Sequence, residues 1–347
     1  MTNPRILHCV SSLQVGGAEK CAVNLLTCQH ALGYKVAALS FGKPAEPFQS
    51  VLESRGIRVI NNNESIIRRL VRTVRILKGF DVIHIHSPAV IRAFMPVFPF
   101  LMGKKVLYTH HGEDSPDQKG MRLSHWLAAL YINKDFAVSE KVKLSVKQRY
   151  NWEPARTDVI PNGVLLSKGD ITAPATPFKF ACVARMVPLK QIDKVVNAFA
   201  QADIPRSELH LFGDGPERPA VEAAVAKHNL QHRVVLHGNV LDEDEIYRHV
   251  DCLVINSTTE GLPMALIEAL ARGKPAISTP VGEIPNLDKR YHFCLFSEDD
   301  TAALSEVMKT MASSPEQWEM LARNGKQLVE ESYSIEQVSR TYLNAVS

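Results

Sequence analysis

Short apolar runs alternate with amphipathic stretches from one end of the chain to the other. In the first half the runs are ILHCV (6–10), VAALS (36–40), IRVI (57–60), DVIHIH (81–86), KVLYTH (105–110), DFAVS (135–139) and TDVIP (157–161). In the second half they are FKFACVA (178–184), ELHLFG (208–213), RVVLHG (233–238), DCLVI (251–255), PAIST (275–279) and HFCLF (292–296). Runs this short, rich in β-branched residues and apolar on both faces, read as strands buried in a parallel sheet, with the intervening stretches as its covering helices. The series occurs twice, so the sequence predicts an α/β protein of two doubly wound parallel-sheet domains. Between them LLSKGDITAPATP (165–177) is rich in Pro, Thr and Ala and has no periodicity, as a linker does. The expected division is 1–167, a linker over 168–177, and 178–332. The last stretch, from Ser334, opens on a residue suited to an N-cap and carries Ile335, Val338, Tyr342 and Leu343 at helical spacing.

The composition is compatible with that reading. The 347 residues suffice for two domains, each with its own core, and 45% hydrophobic with 22% charged residues excludes disordered and fibrous classes. No apolar run reaches the roughly 18 residues of a membrane span. The opening MTNPRILHCV lacks the basic and apolar regions of a signal peptide, so a cytoplasmic location is expected. The six cysteines (Cys9, Cys21, Cys28, Cys182, Cys252, Cys294) have no CxxC spacing and read as reduced core residues. The net charge of +3 conceals an asymmetry: residues 1–167 carry 22 Lys and Arg against 12 Asp and Glu, and the rest carries 18 against 25. A basic half of about +10 implies an anionic partner, such as a membrane surface, a phosphorylated acceptor or nucleic acid.

Four constellations carry candidate chemistry. Gly16 and Gly17 in SSLQVGGAEK stand where the first strand turns into a helix expected from about Ala18, and side-chain-free residues at a helix start admit a phosphate or carboxylate. The turn matches neither GxGxxG nor GxxxxGK[ST], so it assigns no dinucleotide or Walker site. His84, His86, His110 and His111 gather at the ends of two strands, where open α/β sheets bind ligands. A metal drawn from His86, His111 and Glu113 lacks any ligand-spaced helix such as HExxH; a histidine bonding a polar substrate, with His84 and His110 as satisfied core residues, fits better. In CVARMVPLKQID, Arg185 ends a strand and Lys190 precedes a helix, a disposition suited to gripping a diphosphate. In NSTTEGLPMALIEALARGKPAIST the segment Gly261, Leu262, Pro263, Met264 opens a helix; Glu260 stands before it and Glu268 one turn inside. Glu268 lies in an otherwise apolar helix and needs a polar partner, of which a ribose diol is one.

These residues resemble the retaining GT-B glycosyltransferases of family 4. The resemblance spans VGGAE (15–19), DVIHIHS (81–87), THHG (109–112), VIPNGV (159–164), ARMVPLK (184–190), FGDGPER (212–218), the Glu260 and Glu268 pair, and GKPAISTPVGEIP (273–285). It implies two Rossmann-like domains facing across a cleft, with a nucleotide-sugar donor held mainly by the second domain. The first domain, together with a final helix over 333–347, would hold the acceptor. By the same resemblance Arg185, Lys190 and the Gly16–Gly17 turn hold the donor diphosphate, and Glu268 the ribose. Glu260 and the backbone of Gly261 to Met264 meet the transferred sugar, and His111 bonds it near the anomeric carbon. Glu260 and His111 are thus the catalytic pair, with no metal and no cofactor. The acidic runs Asp242–Glu245 and Glu298–Asp300 are then helix-start carboxylates. One departure is Asn286, where the family usually has Glu.

A nicotinamide oxidoreductase would carry GxGxxG with an acidic residue about 20 positions on, and this chain does not. The remaining alternatives are a GT-B enzyme acting on a sugar nucleotide with a soluble acceptor, an epimerase or phosphorylase of that fold, and a sugar-nucleotide-binding protein without catalysis. For the acceptor, ESIIRRLVRTVRILKGF (64–80) sets Arg68, Arg69, Arg72, Arg75 and Lys78 beside Ile67, Leu70, Val71, Val74 and Leu77 at helical spacing. RAFMPVFPFLMGKK (92–105) adds Phe, Met and Pro to Lys104 and Lys105. A basic amphipathic helix of this kind suits anionic lipid, so the expected partners are a nucleotide sugar, a lipid-linked or cell-surface glycan precursor, and an anionic membrane face, with no nucleic acid.

Overall fold

A computed structural model of the protein describes residues 3–112, 121–150, 157–167 and 169–345. The chain forms two compact units, Met1–Gly163 with Ser334–Ser347, and Val164–Tyr333. The first holds seven strands, β1 (Arg5–Val10), β2 (Lys35–Ser40), β3 (Arg58–Asn61), β4 (Val82–Ile85), β5 (Lys105–His110), β6 (Lys134–Ala137) and β7 (Thr157–Val159). All are parallel, in the order β3-β2-β1-β4-β5-β6-β7. The second holds β8 (Phe178–Val183), β9 (Ser207–Phe212), β10 (Val234–Gly238), β11 (Cys252–Ile255), β12 (Ala276–Ser278) and β13 (Cys294–Phe296), parallel in the order β10-β9-β8-β11-β12-β13. Every one of these strands overlaps a run read from the sequence, because a strand apolar on both faces stands out against amphipathic helices.

Each sheet is buried on both faces. In the first unit Leu7, Cys9, Ile83, Ile85 and Tyr108 pack with Phe94 and Phe98 on one side. On the other, Ile6, Val82, Leu107 and Phe136 pack with the helix Gly17–Ala31 and the final helix Ile335–Asn344. That final helix buries Ile335, Val338, Tyr342 and Leu343. It approaches the backbone closely at Gly163, where a Cβ would stand 2.8 Å from Ile335 Cα, and Asn24 donates to the Gly163 carbonyl at 3.1 Å. In the second unit one face packs around Phe180, Phe199 and Trp318, the other around Leu253, Leu266 and Phe293. Trp318 is fully buried, and its indole N–H donates to the Asp251 carbonyl at 2.8 Å, which removes the cost of burying that donor. All six cysteines are buried and free. Burial pushes Cys21 and Cys182 up to about 12, so they are unreactive packing residues.

Two stretches singled out in the sequence take a definite form. The stretch expected as a linker over 168–177 is not a free tether: Ile171 packs against the second core and stands 2.7 Å from where a Gly273 Cβ would be, because an isolated Ile gains by burial. In the basic helix Ile66–Leu77 only Thr73 and Leu77 are buried, with Leu70 and Val74 partly so. Ile67 and Val71 do not pack; together with Ile66 they are 77%, 57% and 66% exposed. Among the described residues no helix is long and apolar enough to cross a membrane.

Candidate functional site

In an open parallel sheet, ligands bind beyond the carboxyl ends of the strands where the strand order reverses. In the second unit those neighbours are β8 and β11. After β8 come exposed Arg185 and the single helical turn Pro188–Lys190; after β11 come Asn256, Ser257 and Glu260. The Lys190 ammonium bonds Glu260 Oε1, and Ser257 Oγ donates to the same oxygen at 2.7 Å. The Thr258 amide donates to the Leu189 carbonyl at 2.9 Å and ties the two loops together. The spacing alone brought Arg185 and Lys190 together as two cations; the structure instead pairs Lys190 with Glu260 and leaves Arg185 facing solvent.

Two glycines set these loops. Gly213 has φ of +121°, and a Cβ on it would stand 2.0 Å from the Ala184 carbonyl oxygen, just before Arg185. Gly282 has φ of +59°, and its Cβ would stand 2.0 Å from the Gly261 carbonyl oxygen, which also accepts from the Glu283 amide at 3.0 Å. Only a residue without a side chain fits either position. Asn286, the departure noted in the sequence, donates to Glu283 at 3.5 Å.

Gly261, Leu262 and Pro263 lead into the helix Met264–Ala271, whose first turn has no side-chain cap, so its positive dipole end is available to an anion. Glu268 is buried one turn inside. One of its partners is a residue the sequence reading missed: the Tyr247 hydroxyl donates to Glu268 Oε2 at 2.9 Å. Burial, followed by the Glu268 carboxylate, pushes the Tyr247 hydroxyl well above its ordinary range. Tyr247 ends the helix Glu243–Tyr247, N-capped by Asp242, and Asp300 caps the helix Thr301–Ser313 through the Ala303 amide at 2.9 Å. Both acidic runs therefore do serve helix starts.

In the first unit the reversal lies between β1 and β4. The helix after β1 begins at Gly17 with Gly16 as N-cap, one residue before the expected start. Glu19 lies against this turn, its carboxylate 2.4 Å from where a Gly16 Cβ would be, and Ser12 donates to it at 3.3 Å. Burial raises the Glu19 carboxyl, with a smaller contribution from nearby Glu46. Buried Glu46 accepts from the Leu13 amide, and from the Lys43 amide at 3.0 Å. The turn expected to meet a diphosphate thus already holds carboxylates of the chain itself.

The histidines form a layer across β1, β4 and β5. His8 Nε2 lies 2.9 Å from Gln29 Oε1, His8 Nδ1 lies 2.9 Å from His86 Nε2, and His86 Nδ1 lies 3.0 Å from His111 Nε2. His84 bonds Thr109 at 2.8 Å. His110, on the other face, pairs with buried Asp135 at 2.8 Å, and Thr157 donates to the same carboxylate at 2.6 Å. Burial lowers His8 and His111 to about 4 and holds His84 and His86 well below the usual imidazole value, with neighbouring imidazoles adding to the shift at His84, His86 and His111. Nitrogens of His8, His84 and His86 lie within 4.8 Å of one another. Their present bonds run to each other and to Gln29, Thr109 and His111, and Glu113, the carboxylate of the metal reading, lies outside the described residues.

Two family models tile the chain: Glycosyltransferase Family 4 over residues 15–168, and Glycosyl transferases group 1 over residues 167–328. An uncharacterized glycosyltransferase of Methanocaldococcus jannaschii is 26% identical over 79% of this chain and 76% of its own. The lipopolysaccharide core biosynthesis glycosyltransferase LpsD of Rhizobium meliloti is 24% identical over 95% and 94%. Among solved structures, HepE of Anabaena in complex with UDP and glucose superposes with a TM-score of 0.83 at 18% identity, covering 99% of both chains.

Two outcomes follow from this geometry. Gly282→Ala should force the Glu260–Gly261 loop to move, lowering the thermal midpoint by the equivalent of about 1–3 kcal/mol of local strain; an unchanged midpoint in calorimetry would contradict the close approach. His8 and His111 are held near 4 when folded against about 6.5 unfolded. The stability this represents is complete above about pH 6.5 and is lost as pH falls toward 4. Their C2 proton resonances should therefore not titrate between pH 8 and 5, whereas a midpoint near 6.5 would show that they are hydrated.

Proposed function

The chain belongs to the group 1, family 4 glycosyltransferases and has their GT-B architecture of two Rossmann-like domains, and on that premise we propose that it transfers a sugar from a UDP-sugar to an acceptor hydroxyl with retention of anomeric configuration. The observation that supports this reading most strongly is the Lys190–Glu260 pair beside the uncapped helix Met264–Ala271. It is a cation and a carboxylate that can exchange each other for a donor. Lys190, Arg185 and the helix dipole take the diphosphate, and Glu260, with the backbone of Gly261, Leu262, Pro263 and Met264, meets the sugar. Glu268, held by Tyr247, accepts from the ribose. In the first unit, His111 is the side chain proposed to bond the sugar. The bond between the sugar's anomeric carbon and the diphosphate breaks, the acceptor oxygen bonds that carbon, and the acceptor proton leaves with UDP. Positive charge from side chains and backbone serves where other transferases use a metal, so neither metal nor cofactor is part of the proposal. HepE, crystallised with UDP, supports the choice of nucleotide.

For the acceptor we infer a lipid-linked or cell-surface glycan precursor, reached by peripheral docking on an anionic membrane face. Ile66 stands exposed at the helix start, and exposed Ile67 and Val71 line, with Arg68, Arg72 and Arg75, a groove of about 750 Å³ that reaches Ile76 and Phe80. Leu123, Trp126 and Leu130 form a second exposed apolar stripe. Apolar side chains among arginines on one helix match the amphipathic pattern of a helix lying in a lipid interface. The name of LpsD, a lipopolysaccharide core enzyme, points the same way.

Incubation with a panel of nucleotide sugars in EDTA, followed by mass spectrometry, should show slow hydrolysis of a UDP-sugar. Arg185→Ala should weaken UDP binding by about tenfold to a hundredfold, while Glu260→Gln should abolish turnover and keep most UDP affinity. No donor consumed, or consumption only with added metal, would refute the reading. In co-sedimentation, vesicles with anionic lipid should bind the wild type at low salt and release it at high salt, and a variant with Arg68, Arg72 and Arg75 changed to Ser should stay unbound. Equal binding to neutral vesicles would remove the membrane from the account.

A further inference from the structure

Three consecutive residues tie the loop after β8 to the loop after β11. The Leu189 carbonyl accepts from the Thr258 amide at 2.9 Å, the Lys190 ammonium bonds Glu260, and the side chain of Gln191 reaches the Asn256 carbonyl. Gln191 is the strained member of the three. Its φ of +47° and ψ of +42° lie in the left-handed region, which is costly for any residue with a Cβ. Asp203 and His292 adopt that conformation where helices end, its usual place. Gln191 adopts it where the helix Ile192–Ala202 begins, and its carbonyl accepts from the Lys194 and Val195 amides at 3.1 and 3.3 Å. One orientation of its own amide suits what surrounds it. The nitrogen then donates to Asp299 Oδ1 at 2.8 Å and to the Asn256 carbonyl at 3.0 Å, and the oxygen accepts from the Lys194 ammonium at 2.9 Å. Turned the other way, the oxygen would face two acceptors and the nitrogen a cation. Asp299 only accepts, because the Lys194 ammonium, with Gln191 adding to it, holds its carboxyl below the usual range.

We propose that Gln191 is a positioning residue: its left-handed backbone and three amide bonds hold the base of Lys190 still, so that only the Lys190 side chain moves when it exchanges Glu260 for the donor's diphosphate. This rests on the diphosphate role given to Lys190 above. Leu189 and Gln191 anchor the chain on both sides of Lys190, and neither anchor involves Glu260. Breaking the Lys190–Glu260 bond therefore leaves both standing. Asp299, which follows β13, carries the anchor to a third loop at the carboxyl edge of the sheet. A fixed base confines the ammonium to what its flexible stem can reach, which lowers the entropy lost when it grips a phosphate. Glycine at 191 would adopt the same φ without strain but would contribute no side-chain bond. The three bonds offset the backbone cost, and the strained residue is the more rigid choice.

The test uses the full chain with UDP in EDTA. Gln191→Gly relieves the backbone and removes the three amide bonds, and calorimetry should show UDP bound about threefold to tenfold more weakly, the effect of one lost hydrogen-bonded tie. In a Lys190→Ala background the same change should have no effect, because Gln191 acts through Lys190. A role in packing alone would lower the thermal midpoint and weaken UDP equally in both backgrounds, and that result would contradict the proposal. Gln191→Asn, which also tolerates the left-handed region, serves if the glycine variant folds poorly. A second arm needs no nucleotide. Acetylation of lysines, read by mass spectrometry, should run severalfold faster at Lys190 in Gln191→Gly than in the wild type, with exposed Lys35 and Lys105 of the first unit unchanged. Equal Lys190 rates in the wild type and both variants would overturn the proposal. UDP affinity that survives Lys190→Ala intact would refute the diphosphate role of Lys190, and the acetylation rates then decide the positioning role by themselves.

Discussion

Because crossovers between parallel strands are right-handed, reversing the strand order sends the connections on either side of the switch to opposite faces of the sheet. At β8 and β11 the backbone therefore parts, and the loops carrying Arg185 and Lys190 on one side and Ser257 and Glu260 on the other define a place where their side chains can meet a common ligand. The two-fold occurrence of the topology gives β1 and β4 the same geometry, occupied there by Glu19 and the histidine layer. Gly213 and Gly282 are consequences of this constraint: the neighbouring chain must be pressed against the loops for the loops to keep their shape.

A second regularity concerns charge. Four polar groups near these strand ends have partners: Lys190 has Glu260, Glu268 has Tyr247, Glu46 has two backbone amides, and His110 has Asp135, while Arg185 faces solvent. A ligand that binds by exchanging partners does not have to find a desolvated charge waiting, and the ligand-free fold does not carry the cost of one. In this light Lys190 and Glu260 belong to one exchange, and neither can be altered without changing what the other faces.

The fold was legible because its strands are apolar on both faces and its turns are marked by Gly and Pro. The placement of individual residues was legible wherever a motif set one at a strand end or helix start, as for Arg185, Glu260 and Glu268. What escaped was pairing across sequence. Lys190 and Glu260 are 70 positions apart, and nothing local distinguishes a lysine bound for a diphosphate from one bound for a carboxylate. Tyr247 sits at the end of a short acidic helix whose capping role is readable but whose docking on Glu268 is not. His84 and His86, two apart on one strand, had to share a face; that His8 would join them depended on the β1–β4 register. Ile67 and Val71 fit a helical stripe by count, yet the packed edge of that helix is narrower than the stripe, and only Thr73 and Leu77 are buried.

The account stands or falls on where the nucleotide lies. A crystal structure of the protein soaked with UDP in the absence of divalent metal addresses this directly. The diphosphate should lie against Arg185 and the start of the helix Met264–Ala271, with the ribose on Glu268 and the Lys190–Glu260 bond broken. UDP bound at the histidine layer or elsewhere, or UDP at this site with Lys190 still holding Glu260 and Glu268 facing no ribose, would contradict it.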